Sequence, residues 1–388
     1  MGSLFLMSLL VVICGGCAWP IYRKKAYIWL PSFLRQVLRA MLQPPRRGTT
    51  HIIIAICDHF DFGSGGSYKE GEEQKIERWV SEYPPFADKH YDTYGYKLKH
   101  TWFFPPHYHR ADYLEKIVSL CAAGYGEVEM HLHHDHMAPF PDSSETLRQK
   151  IRQCVDDYSK FGVFTLPDGR KTFAFIHGDW ALDNSRTGNH CGVNDEITIL
   201  AQEGCYADFT FPSLHESQPT KINSIYYVKD DPLRPKSYNT GRDVEVGGHQ
   251  WGDLMLIQGP LYLSRKKKWG IPFFPCIESA EIQHPTRLSI GRVKSWLKAN
   301  VHVKGRPEWI FVKLHTHGAM NEKNYAHNFG ELAHKFFTEL ESSFTGNQYA
   351  IHYVTAREMY NIISAAEAGC KGNPTNYRDF KIPRYIYI

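Results

Sequence analysis

The stretch Glu127-Val128-Glu129-Met130-His131-Leu132-His133-His134-Asp135-His136 packs four histidines and an aspartate into its last six positions. Read at period 2, Glu127, Glu129, His131 and His133 line one face of a strand, and Val128, Met130 and Leu132 line the other. The apolar face packs; the other carries ligands. His131 and His133 leave the strand end side by side, and Asp135 and His136 follow on the loop, so imidazoles and a carboxylate converge on one divalent cation. A histidine-rich surface loop is the plainer reading. It accounts for a lone histidine better than for five ligand-type side chains at one strand end.

Other apolar runs end in the same chemistry. Residues 51–57 (HIIIAIC) read as a buried strand followed by Asp58, His59 and Asp61, and 171–176 (KTFAFI) as a strand ending in His177, Gly178, Asp179 and Trp180. Residues 205–211 (CYADFTF) form another, and 309–314 (WIFVKL) end in His315, Thr316 and His317, while 225–228 and 254–258 are weaker strand signals. Helical patterns at 68–82, 113–123, 144–161 and 329–340 alternate with these strands, which argues for a parallel βα architecture. In such folds function gathers at the C-terminal ends of the strands, and the polar clusters sit there. The sequence holds no internal repeat, P-loop, G-x-G-x-x-G or G-x-S-x-G element.

Composition sets bounds. A 388-residue chain that is 43% hydrophobic can bury a sizeable core in one large domain or two. The net charge of +4 is small, and much of the basic excess lies before residue 50, so nucleic-acid binding is not expected. Aromatic residues make up 14% of the chain, as a sugar-stacking cleft or a large aromatic core would require.

Residues 4–22 carry no charge and are long enough to cross a bilayer as a helix. Arg23, Lys24, Lys25, Arg35, Arg39, Arg46 and Arg47 follow that stretch rather than precede it. The asymmetry predicts an uncleaved, single-pass anchor at 1–22 with the following chain on the cytoplasmic side, a periplasmic location being the alternative. Residues 23–48 form a basic amphipathic segment and linker, which either lies on the membrane or docks on the domain. The remaining domain spans 49–388, and its seven cysteines, oddly numbered and scattered, fit a reducing compartment.

With these clusters in order, the chain resembles the polysaccharide deacetylases of the nodulation-type carbohydrate esterase superfamily, over about residues 49–360. Its segments CDHFD, HLHHD, HGDWALDNS and KLHTHG stand where that family has its motifs. The resemblance implies a distorted (β/α) barrel, seven-stranded, and a metal-dependent hydrolase that deacetylates a sugar or polysaccharide in cell-envelope or exopolysaccharide metabolism. It implies a divalent metal, zinc by the ligand set, held by His59, His131 and either His133 or Asp135. Asp58 takes the place of the general base and His315 that of the acid. Asp179, Asp183 or His317 would orient these groups, and His177, Asp179, Trp180, Trp251 and His317 would border the acetylated carbohydrate. His59 and Asp135 depart from the family's letters, which have Asp and His there. A barrel glycoside hydrolase using Asp58 with Asp179 or Asp208, and a non-catalytic sugar-binding or assembly protein, are the alternatives.

Overall fold

A computed structural model describes residues 21–43, 46, 48–62, 71–106, 110–134, 141–268 and 271–388, the side chains of 266–274 excepted. In chain order the strands are β1 (Thr50–His59), β2 (His100–Phe104), β3 (Gly126–Leu132), β4 (Phe173–His177), β5 (Cys205–Asp208), β6 (Ile225–Val228), β7 (Arg242–Asp243), β8 (Leu254–Ile257), β9 (Leu261–Lys268), β10 (Ile271–Ser279), β11 (Trp309–Thr316) and β12 (Tyr349–Val354). The longer helices are α1 (Leu30–Met41), α2 (Glu72–Ala87), α3 (Ala111–Ala122), α4 (Ser144–Ser159), α5 (Glu196–Gln202), α6 (Ile290–Ala299), α7 (Tyr325–Asn328), α8 (Glu331–Ser343) and α9 (Ala356–Glu367).

β1 is apolar on both faces because neighbours cover both. It runs parallel to β11 on one edge. On the other edge its first half pairs with β12 and its last residues pair with β2. The parallel ladder continues through β3, β4, β5 and β8, and β6 joins β8 and β7 antiparallel. The α/β expectation holds, with a mostly parallel sheet, but among the described residues that sheet has ten strands rather than seven. No ladder among the described residues joins its two ends. Instead the Lys313 ammonium donates to the Phe211 carbonyl at 3.0 Å, and a Cβ on Gly259 would stand 2.4 Å from the Lys313 carbonyl. The β11 edge therefore curls round beside the chain leaving β5 and β8.

Register decides which side chains share a face, because directly paired residues on parallel strands point the same way. His59, Phe103 and Glu129 are paired in a row, as are Cys57, Thr101 and Glu127. Asp58, Trp102 and Val128 form the alternate row and face the helices. The glutamates expected on the ligand face of β3 serve as internal braces. Glu127 takes two bonds from the Arg357 guanidinium at 3.0 and 2.8 Å and one from the Thr355 hydroxyl at 2.6 Å. Glu129 accepts from the Tyr206 and Tyr385 hydroxyls at 2.7 and 2.9 Å, and burial pushes its carboxyl up to about 8. These bonds let all of α9 be buried although it carries Arg357, Glu358 and Asn361.

Most of the 4–22 stretch lies outside the described residues, and so does Asp135. Among the described residues no helix is long and apolar enough to cross a membrane. The amphipathic segment docks: Trp29 and Phe33 pack against Ile222 and Leu261, and the Trp29 indole donates to the His215 carbonyl at 3.0 Å. Its far side leaves Leu34, Leu38, Met41 and Leu42 exposed.

Candidate active site

At the C-terminal rim of the sheet, β1 delivers His59 and, two residues on, Asp61, while β3 delivers His131 and then His133. Asp61 Oδ2 lies 3.3 Å from His131 Nε2 and 3.4 Å from His133 Nε2, and the two nitrogens are 3.0 Å apart. Zinc with bonds of about 2.0–2.1 Å places tetrahedral neighbours about 3.3–3.4 Å from one another. The three donor atoms thus outline one face of such a coordination shell. The His131 Nδ1 donates to the Ile176 carbonyl at 2.9 Å, which leaves its Nε2 lone pair free for a metal. Burial opposes charge on Asp61, yet His131 and His133 hold its carboxyl well below the usual carboxylate range. Burial likewise opposes charge on His133, and Asp61 beside it raises that imidazole above its ordinary value. Both shifts describe a site built for positive charge, which a metal ion supplies without a proton.

More imidazoles surround this triad. The His59 ring centroid is 5.1 Å from that of His131, 4.8 Å from that of His317 and 6.4 Å from that of His315. His59 Nε2 and His315 Nδ1 are buried without a hydrogen-bond partner among the described residues. Burial, reinforced by neighbouring cations and imidazoles, pushes His59 and His315 well below the ordinary histidine range, so both are neutral. His317 is oriented by the Gln283 side-chain oxygen, 2.8 Å from its Nδ1.

The wall opposite is a strained loop after β4. Asp179, Trp180, Asp183 and Asn184 all have positive φ, a conformation non-glycine residues adopt at a cost. Gly178 permits the approach that positions His133: a Cβ there would lie 2.4 Å from the His133 ring. The turn aims the Trp180 ring at the site, with its centroid 5.6 Å from His59 and 5.9 Å from His317. Asp179 Oδ2 meets His190 Nδ1 at 3.1 Å on the half-exposed rim.

Three expected residues stand elsewhere. Asp58 points to the opposite face of the sheet from His59, since adjacent strand residues alternate. Its oxygens take the Gly318 amide at 2.7 Å and meet His100 Nε2 at 2.9 Å. It pins the turn that follows β11. Trp251 precedes β8, at the opposite end of the strands from the rim, and packs on the core beneath the Arg242 guanidinium. His177 is fully buried against Glu196 rather than open to a substrate. Asp61, conversely, stands with His131 and His133 in the place after β1 that the sequence assigned to His59 as a ligand. The sequence signal was its i+2 spacing from His59, which returns it to the same face.

A cavity of about 370 Å³ lies at the other end of the strands, lined by Lys99, Glu127, Arg357, Glu358 and Arg378. Its cations are paired: Lys99 and Arg378 with Glu358, Arg378 also with Asp92, and Arg357 with Glu127 and Asp379.

No protein-family model matches the chain, and no curated protein matches it. Three solved structures show distant similarity. The 4-alpha-glucanotransferase of Thermococcus litoralis is 13% identical with a TM-score of 0.39, over 80% of this chain and 43% of that one. A GH57-type branching enzyme of Pyrococcus horikoshii is 12% identical with a TM-score of 0.38, over 79% and 69%. A GH57 branching enzyme of Thermococcus kodakaraensis is 11% identical with a TM-score of 0.32, over 79% and 73%. The chain thus spans less than half of the glucanotransferase it matches.

Proposed function

We propose that this chain is a metal-dependent hydrolase that removes an acetyl group from a sugar of the cell envelope or of an exopolysaccharide. The observation that carries this reading is the triangle of donor atoms from Asp61, His131 and His133 at the strand-end rim. Asp61, His131 and His133 would hold the ion, with the His59 ring packed beside His131, their centroids 5.1 Å apart. Bound there, a divalent metal would polarise the acetyl carbonyl and acidify a water molecule. The neutral His315 would accept that water's proton and return it to the departing amine or alcohol, a task for which its unpartnered Nδ1 is suited. His317 would bind and orient the carbonyl side of the substrate, and Trp180 would stack on the sugar ring. Asp179 at the rim would take the sugar's hydroxyl groups.

A glycoside hydrolase is the second reading. Asp61 and Asp179 both act on the charge of His133, so two carboxylates flank one imidazole. Purified full-length chain incubated with partly acetylated and unacetylated oligosaccharides separates the two. Acetate release that stops with a chelator and returns with zinc supports the deacetylase. New reducing ends from unacetylated glycan, formed with the chelator present, support the glycosidase. Neither product leaves a non-catalytic carbohydrate-binding role.

We further propose that residues 4–22 anchor the chain with the domain on the cytoplasmic side, because the basic residues follow the apolar stretch. A Thr49→Cys variant should resist a membrane-impermeant thiol reagent in intact cells and react once the membrane is opened. Labelling in intact cells would reverse the topology.

A further inference from the structure

Beside the candidate active site lies a second convergence of ligand-type side chains. His134, His177, Cys191 and Glu196 are all buried, and one ligand atom from each lies within 4.8 Å of the others. Glu196 Oε1 is 3.2 Å from His134 Nε2 and 3.3 Å from His177 Nε2. Glu196 Oε2 is 3.4 Å from the Cys191 sulfur.

The outer nitrogens fix the proton positions. His134 Nδ1 lies 2.8 Å from Asp142 Oδ2, and His177 Nδ1 lies 2.5 Å from the Gly178 carbonyl. Facing a carbonyl, His177 Nδ1 carries that ring's proton, so its Nε2 presents a lone pair to the Glu196 carboxylate 3.3 Å away. A lone pair aimed at a carboxylate oxygen is stabilised by a cation between them. His177 Nε2 has no hydrogen-bond donor among the described residues, and its side chain is fully buried. Carboxylate and carbonyl behind each imidazole are the outer partners that metal-binding histidines use to fix their tautomer.

We infer that His134, His177, Cys191 and Glu196 form a zinc site. With four protein ligands and no side open to solvent, it is a structural site rather than a catalytic one. Its place explains its use. His134 adjoins His133, and His177 adjoins Gly178, the residue against which His133 packs. Glu196 Oε2 also accepts from the Asp183 amide at 2.6 Å, at one of the left-handed positions of the loop that presents Trp180. One ion would hold the end of β3, the end of β4 and the start of α5 in register, and so keep the strained loop in place. The inference stands apart from the deacetylase reading, since it uses none of the residues of the Asp61 triad.

The cysteine makes it testable independently of activity. Full-length chain, stripped of metal and reloaded with cobalt, should show a thiolate-to-cobalt charge-transfer band in the near ultraviolet, which the all-nitrogen-and-oxygen triad cannot give. Cys191→Ser should abolish the band and remove one equivalent of zinc on elemental analysis. His131→Ala with His133→Ala should leave the band in place. If the serine variant does not fold, peptide-mapped alkylation of the parent chain serves instead, with Cys191 becoming reactive when zinc is chelated. A cobalt-loaded parent without the band, or Cys191 equally unreactive with and without chelator, would overturn the site.

Discussion

Replacing both His131 and His133 with Ala is expected to remove one equivalent of zinc per chain and to abolish metal-dependent acetate release. Two of the three atoms that outline the coordination face go together, leaving Asp61 Oδ2 alone. Loss even of an outer partner typically weakens metal binding about 10–100-fold, so loss of two direct ligands should exceed about 100-fold. Asp61→Asn is the milder companion: it keeps the shape but removes the negative charge that favours the cation. Zinc titration monitored by calorimetry reads both, and circular dichroism verifies that the fold persists. Full zinc retention in the double variant would remove the ground for a metal at this rim.

The second large effect is on stability. Arg357→Ala should destabilise the chain by about 3–5 kcal/mol, because it strands the buried Glu127 carboxylate without its cation. Arg357 also donates to the Ile382 carbonyl at 2.6 Å, so the same change loosens the C-terminal segment from α9. Double replacement with Glu127→Gln should recover part of the loss, since a neutral amide costs less to bury than an unpaired charge. Urea unfolding of the three variants decides this. Equal midpoints for parent and Arg357→Ala would mean that the pair contributes nothing and that α9 is held by packing alone.

The alternation of apolar strands and helices, and the gathering of His and Asp at strand ends, were legible in the sequence because periodicity and residue chemistry are local. So was the face of β3 carrying Glu127, Glu129 and His131, since a period of 2 requires no knowledge of neighbours. β2 and β12 were not legible. HTWFF and YAIHYV are short mixed runs that become strands because their neighbours offer them an edge, β1 and β3 for the first and β1 for the second. Those two, with the two-residue β7, raise the seven strands read from the sequence to the ten of the sheet.

The site divides the same way. Its ingredients are written in CDHFD and HLHHD, but adjacency in the chain gives no guide to which neighbour faces the metal. Strand geometry turns Asp58 toward His100 and Gly318, and the bend after β1 brings Asp61 to His131 and His133. His177 read as a rim residue by its position at a strand end. Only the tertiary structure shows that Glu196 at the start of α5 claims it, together with Cys191, which no spacing rule ties to His134. Sequence by itself determined the residue types and their alternation. Tertiary structure decided the partners, because a ligand set is a matter of distances between atoms that are 62 and 70 positions apart along the chain.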